Sequence, residues 1–203
     1  MTLDYRVIHL LNVFVAFALL FTGLGSSPGM LHRLIPGSAL FHSALGVASI
    51  VVIAFYGLYL LGVHRVRLFD GFQRKRLGDQ FNEAKSILWN YTFGSPLPPN
   101  VKEGIGRHNV LASYASALLV VAFGLLAGSG VMLLILKPFT LLYGSMLQIH
   151  NISVELTALF FFLHLFAVLK RENRPLLYAV FSNGKVPLIW AKEHMARFLK
   201  EQK

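Results

Sequence analysis

The chain has 203 residues, of which 55% are hydrophobic and only 14% charged; its net charge is +10 and it contains no cysteine. Soluble domains carry about 25% charged residues, so the composition argues against a water-soluble globule. The missing thiols exclude disulfides, cysteine-held iron–sulfur clusters and cysteine-attached haem.

Four apolar runs reach the roughly 20 residues that a helix needs to cross a bilayer. The first is Val7–Leu24. It is longer than the apolar core of a leader peptide and lacks a small-residue cleavage site, so it reads as a span. A short Gly-, Pro- and Ser-rich connection, Gly25–Ser38, leads to the second run, Ala39–Val63. A long, polar, basic connection follows, His64–His108. Within it Phe81, Ala84, Leu88 and Tyr91 recur at helical spacing, which fits a short helix lying on the membrane surface or, equally, ordinary amphipathic packing on the bundle. The third run is Asn109–Leu136, and after a tight turn at Lys137 and Pro138 the fourth is Phe139–Leu169. A basic tail, Lys170–Lys203, closes the chain, with a second amphipathic segment at Trp190–Leu199. Lipid tolerates only helices and closed barrels, and these runs are too long for barrel strands. The prediction is an all-α, integral membrane four-helix bundle forming one domain over residues 1–203.

Lys and Arg set the orientation. Arg6 precedes the first run. The long connection holds eight: Arg65, Arg67, Arg74, Lys75, Arg76, Lys85, Lys102 and Arg107. The tail holds another eight: Lys170, Arg171, Arg174, Lys185, Lys192, Arg197, Lys200 and Lys203. Only Arg33 and Lys137 fall on the other side. Cytoplasmic loops carry the Lys/Arg excess, so the basic loop, the tail and both termini are expected in the cytoplasm. The charge then matches an anionic lipid surface and needs no nucleic acid.

Histidine inside a membrane needs a partner or a task. His9 opens the first span, near the inner face, and His42 opens the second, near the outer face. The fourth helix runs inward and carries His150 in its outer half and His164 near its inner end. At about 100° and 1.5 Å per residue, His150 and His164 return to within roughly 40° of one face, about 21 Å apart. His42 therefore matches His150 in depth, and His9 matches His164. Two same-depth imidazole pairs are the arrangement that ligates two stacked haems without covalent attachment. The separation forbids all four from sharing one zinc or copper.

Other residues are less specific. Gly46 lies one turn after His42, and Gly23, Gly25, Gly128 and Gly130 cluster near the outer helix ends, where small residues let helices or a flat macrocycle approach. His32, His64 and His194 read as interfacial polar residues. Arg107, His108 and Asn109 place donors beside the inner haem. Glu155 is the one acidic residue within a span, suited to relaying protons or bonding a neighbouring helix.

With Arg6-x-x-His9, Phe41-His42 with Gly46, the His150/His164 spacing and a tail reading Gly184-Lys185-Val186 then Trp190-Ala191-Lys192-Glu193-His194, the chain resembles the membrane cytochrome b (gamma) subunit of respiratory formate dehydrogenases. That family sits in a wider di-haem group that includes the cytochrome b subunits of nickel–iron hydrogenases. The resemblance covers nearly the whole chain. It implies two haem b groups, one held by His42 and His150 and the other by His9 and His164. It also implies a quinone site, for menaquinone, beside the inner haem at His164 and Asn109. The family places a glutamine three residues after that asparagine; here the position is Ala112, and His108 is the candidate substitute.

The expected function is electron transfer across a bacterial or archaeal cytoplasmic membrane, from an iron–sulfur partner joined to a catalytic dehydrogenase or reductase subunit, to quinone. Nothing in the chain suits it to oxidise formate or hydrogen itself. The rival readings are a quinol-oxidising arm of a terminal reductase such as one for thiosulfate, a hydrogenase cytochrome b, and a haem-free membrane anchor.

Overall fold

The computed structural model describes residues 3–26, 37–62, 76–105, 109–136, 138, 140–195 and 199–200. Regular structure among them is helical, with no strand. In chain order the helices are α1 (Leu3–Ser26), α2 (Ser38–Gly62), α3 (Leu77–Phe93), α4 (Pro99–Gly104), α5 (Val110–Ile135), α6 (Leu141–Leu169), α7 (Arg174–Phe181) and α8 (Leu188–His194). A 3-10 turn at Arg171–Asn173 joins α6 to α7. α1, α2, α5 and α6 are long and apolar enough to cross a membrane. They coincide with the four runs expected from the sequence. Their ends are set by caps: the Asn109 side-chain oxygen accepts from the Ala112 N–H at 2.7 Å and starts α5, and the Thr140 hydroxyl accepts from the Tyr143 N–H at 3.1 Å and starts α6. Such caps satisfy N–H groups that a helix start leaves open.

The chain divides into two compact units. One comprises Asp4–Val66 with Val121–Ala158, and the other Met1–Leu3, Arg67–Val120 and Leu159–Lys203. In the first, the interior is lined by small hydroxyl residues. Thr22, Ser49, Ser129 and Ser153 are all buried. Each donates to the carbonyl one turn back, Thr22 to Ala18 (2.7 Å), Ser49 to Leu45 (2.6 Å), Ser129 to Leu125 (2.6 Å) and Ser153 to Ile149 (2.7 Å). The large apolar side chains point outward, with Phe14 at 71%, Phe55 at 72% and Leu141 at 90% exposure. That is the reverse of a soluble protein and suits lipid, where apolar burial gives helices no reason to associate and small residues at the contact do.

In the second unit α3 is turned the same way. Gln80, Glu83 and Ile87 are its buried residues. Leu77, Phe81, Leu88, Trp89 and Phe93 are exposed. The sequence grouped Phe81, Ala84, Leu88 and Tyr91 on one apolar face, but only Ala84 and Tyr91 are half-buried. Hydrogen bonds explain the rotation: Glu83 accepts from the Val110 N–H at 3.3 Å, and the Tyr114 hydroxyl donates to the Gln80 side chain at 3.2 Å. Polar groups therefore hold α3 to the head of α5 and leave its apolar side for lipid. α3 ends where Gly94 takes a left-handed φ of 69° and donates its N–H to Asn90. From the 3-10 turn, the Asn173 side chain donates to the Ala167 carbonyl (2.9 Å) and the Tyr91 hydroxyl (3.3 Å). Of the expected tail segment Trp190–Leu199, the first five residues fall in α8, which ends at His194, and residues 196–198 lie outside the described ones; Trp190 stacks on His194 at 4.6 Å and donates its ring N–H to the Glu172 carbonyl.

Candidate functional site

His42 on α2 and His150 on α6 face one another within the first unit. Their ring centroids are 6.3 Å apart and the rings stand at 79°. Each is anchored through Nδ1. His42 Nδ1–H donates to the Leu19 carbonyl at 3.0 Å and to the Thr22 hydroxyl at 3.1 Å. His150 Nδ1–H donates to the Ser129 hydroxyl at 3.1 Å, and the Leu126 carbonyl lies within hydrogen-bonding reach of the same ring. A carbonyl only accepts, and each hydroxyl has already given its single hydrogen to its own helix. Nδ1 must therefore carry the proton on both rings, which leaves the Nε2 lone pair for a metal.

The two sockets are built alike from different helices. α1 supplies Leu19, Thr22 and Gly23, and α5 supplies Leu126, Ser129 and Gly130, with identical spacing. The glycines are needed at the ring edges. A Cβ on Gly23 would lie 3.1 Å from His42 Cε1, and one on Gly130 would lie 3.4 Å from His150 Cε1. Of the other glycines noted in the sequence, Gly46 faces Leu19 at 3.9 Å and Gly128 meets nothing within 4 Å.

This arrangement fits an iron held between two imidazoles. A metal–imidazole bond is about 2 Å and a ring centre lies about 1.1 Å from its nitrogens, so two such ligands put their centroids about 6 Å apart. The tautomer is the one that ligation requires, with the second-shell acceptor already in place on Nδ1. One turn outward from His42, the buried Ser38 hydroxyl has no partner among the described residues, in keeping with a polar group of a ligand that completes the site. No three His, Cys, Asp or Glu side chains among the described residues converge on a point, so the pair does not belong to a zinc-type cluster.

The remaining sequence candidates are distributed as follows. His9 lies in α1 and is half-buried. His164 lies in α6, half-buried and stacked on Phe160 at 5.6 Å. Asn109 caps α5, as described. His108 lies outside the described residues, as do His32 and His64. Glu155 is exposed. It is five residues from His150 and nine from His164, about 140° and 180° around the helix, so it faces away from both imidazoles. Thr22, Ser129 and Glu83 were not singled out in the sequence. The repeated Leu-x-x-(Thr/Ser)-Gly pattern of α1 and α5 would have found the first two.

An all-helical, four-span protein presenting a matched imidazole pair inside the membrane is a membrane cytochrome b. The sequence profile of the prokaryotic cytochrome b561 family matches residues 1–183, and the chain belongs to that family. No curated protein and no solved structure gives a significant match. Family membership brings haem b and electron transfer across a membrane, usually within a complex of other redox subunits.

Proposed function

We propose that this cytochrome is the di-haem subunit of a respiratory oxidoreductase of the formate dehydrogenase kind, carrying electrons from an iron–sulfur partner to quinone. The observation that carries the reading is the His42/His150 pair, whose spacing and tautomer suit axial ligation of one haem. His9 and His164 are assigned to the second haem on their matching depth in the sequence. When bound, each group supplies one-electron chemistry.

The chain's own residues do the rest. Thr22 and Ser129, with the two leucine carbonyls, hold the imidazoles in the ligating tautomer and raise their basicity. Gly23 and Gly130 leave room at the ring edges. The outward apolar faces of α1, α2, α5 and α6 keep water from this region, so electrons and not protons cross it. Asn109 and His164, with His108, are assigned to quinone. Because Asn109 Oδ1 is committed to the Ala112 N–H, its amide NH2 is the part left to hydrogen-bond a quinone carbonyl. The proposed home is the cytoplasmic membrane of a prokaryote, with both termini inside, the partner outside, and protons for the quinone, of the menaquinone type, drawn from the cytoplasm.

The test is the purified protein: a reduced-minus-oxidised spectrum, haem extraction, and mixing with a menaquinol analogue. About two non-covalent haems per chain are expected, both reducible by the quinol. One haem overturns one of the two pairs, and haems that the quinol cannot reduce overturn the quinone site.

A further inference from the structure

Ser38 stands apart from the other buried hydroxyls of its unit. Its side chain is 2% exposed, yet the hydroxyl meets no hydrogen-bond partner among the described residues. Burying a hydroxyl unpaired is costly. Thr22, Ser49, Ser129 and Ser153 avoid that cost by donating to the carbonyl one turn back. Ser38 is the first residue of α2, so no helical turn precedes it to supply such a carbonyl.

Its place in α2 indicates the kind of partner that suits it. Ser38 comes four residues before His42, about 6 Å along the axis and about 40° around it, so the two lie on one side of the helix. Ser38 also belongs to the helix start. The Phe41 N–H bonds back to the Gly37 carbonyl at 3.2 Å, and helix geometry leaves the N–H groups of Ser38, Ala39 and Leu40 without an acceptor inside α2. A helix start carries partial positive charge and favours an anion. A buried hydroxyl donor added to that start makes a place for a carboxylate.

Haem b carries two carboxylates, its propionates, on one edge of an otherwise apolar ring. A carboxylate is costly within hydrocarbon, so that edge turns toward the nearer end of the span. His42 is the fifth residue of the 25 in α2, and the nearer end is the one that Ser38 opens. Two axial imidazoles hold the iron but leave the macrocycle free to turn about the line through iron and the two nitrogens. A third contact at its edge is needed to fix it.

We propose that Ser38 and the start of α2 hold a propionate of the haem placed between His42 and His150. This rests on the His42/His150 ligand reading above. The Ser38 hydroxyl donates to one carboxylate oxygen, and the first turn of α2 supplies the positive potential. The contact gives the buried hydroxyl its partner and fixes the rotation of the haem about its axial ligands.

The test is resonance Raman spectroscopy of the purified, haem-loaded protein, in which the propionate bending band rises in frequency as the carboxylate gains hydrogen bonds. His42→Ala, lacking the outer haem, identifies the bands of the inner one. In Ser38→Ala the outer haem's propionate band should move down while the inner haem's stays. Transfer of the outer haem to excess apomyoglobin should speed up by about 3–10-fold. Ser38→Thr keeps the hydroxyl and should hold the wild-type band. A packing role predicts the opposite order, since Ala fits the buried site and the added methyl of Thr disturbs it. Should Ser38→Ala not retain the outer haem, Ser38→Cys carries the test: its S–H is a weaker donor, so the band should move the same way by less. An unmoved band, which a lipid phosphate or a solution anion at Ser38 would give, overturns the proposal, as does an equal shift at both haems. If His42→Ala removes no haem, the ligand reading falls and this role with it. A His42-dependent haem whose band ignores Ser38→Ala overturns only the role of Ser38.

Discussion

The site around His42 and His150 and the region around the head of α5 solve different problems. At the first, the ring nitrogens on the anchored side are met by hydroxyls and carbonyls, and no carboxylate lies in the set. At the second, side-chain oxygens of Glu83, Gln80 and Asn109 accept from the Val110 N–H, the Tyr114 hydroxyl and the Ala112 N–H. A site that handles only electrons is best dry and rigid, because solvent that reorients with each electron adds to the barrier. A site that couples electrons to protons needs a titratable group and a route to water. Under the proposed function the chain divides in this way, and Glu155, ionisable but facing away from the imidazoles, fits that division.

The largest break in the comparison comes from removing a ligand. His42→Ala should lower the haem count from two per chain to about one, by extraction and by the size of the reduced band. The remaining haem should still be reduced by quinol, since the head of α5 is untouched. A variant that keeps both haems and an unchanged spectrum would show that His42 is no ligand.

A smaller effect tests the hydroxyls. An acceptor on Nδ1–H strengthens imidazole as a donor and favours oxidised iron. Removing it favours the reduced state. Thr22→Val keeps the shape of the residue and leaves the Leu19 carbonyl in place, so the outer haem should stay bound with its midpoint potential raised by about 10–40 mV. Ser129→Ala should do the same from the other side, while the inner haem holds its potential. A downward shift, or an equal shift at both haems, contradicts the assignment.

These hydroxyls mark where the sequence stopped being readable. The four spans were legible because lipid imposes one requirement, some 20 apolar residues, that hydropathy reports directly. His42 and His150 were legible because depth follows from helix rise alone. Thr22 and Ser129 were not, because their role depends on which helix neighbours which, and Ser49 and Ser153 are equally buried hydroxyls that donate to their own helices. For α3 the sequence left a surface helix and packing on the bundle equally open, because apolar spacing does not show that Glu83 and Gln80, on its other side, bond the start of α5. Apolar periodicity reports the side that water avoids, and beside a membrane that side is the outside.

The smallest effect compares the two halves of the outer site with each other. Both sockets have a glycine at the ring edge, but the clearance differs: 3.1 Å at Gly23 and 3.4 Å at Gly130 for an added Cβ. The shorter distance is below what a carbon normally accepts, so in Gly23→Ala the His42 ring must move by a few tenths of an ångström or α1 must shift. Because Nδ1 is tied to Leu19 and Thr22 on that same helix, the ring pivots about those bonds and its plane turns. In Gly130→Ala the contact is close to an ordinary one, and the His150 ring stays where it is. The readout is the ferric EPR signal of the outer haem, which depends on the angle between the two imidazole planes, now 79°. Nearly perpendicular rings give a strongly anisotropic low-spin signal. That signal should shift clearly in Gly23→Ala and hardly at all in Gly130→Ala, with both haems retained in each. Equal shifts would mean that the sockets are equally tight, and a larger shift in the Gly130 variant would reverse the order of the two halves.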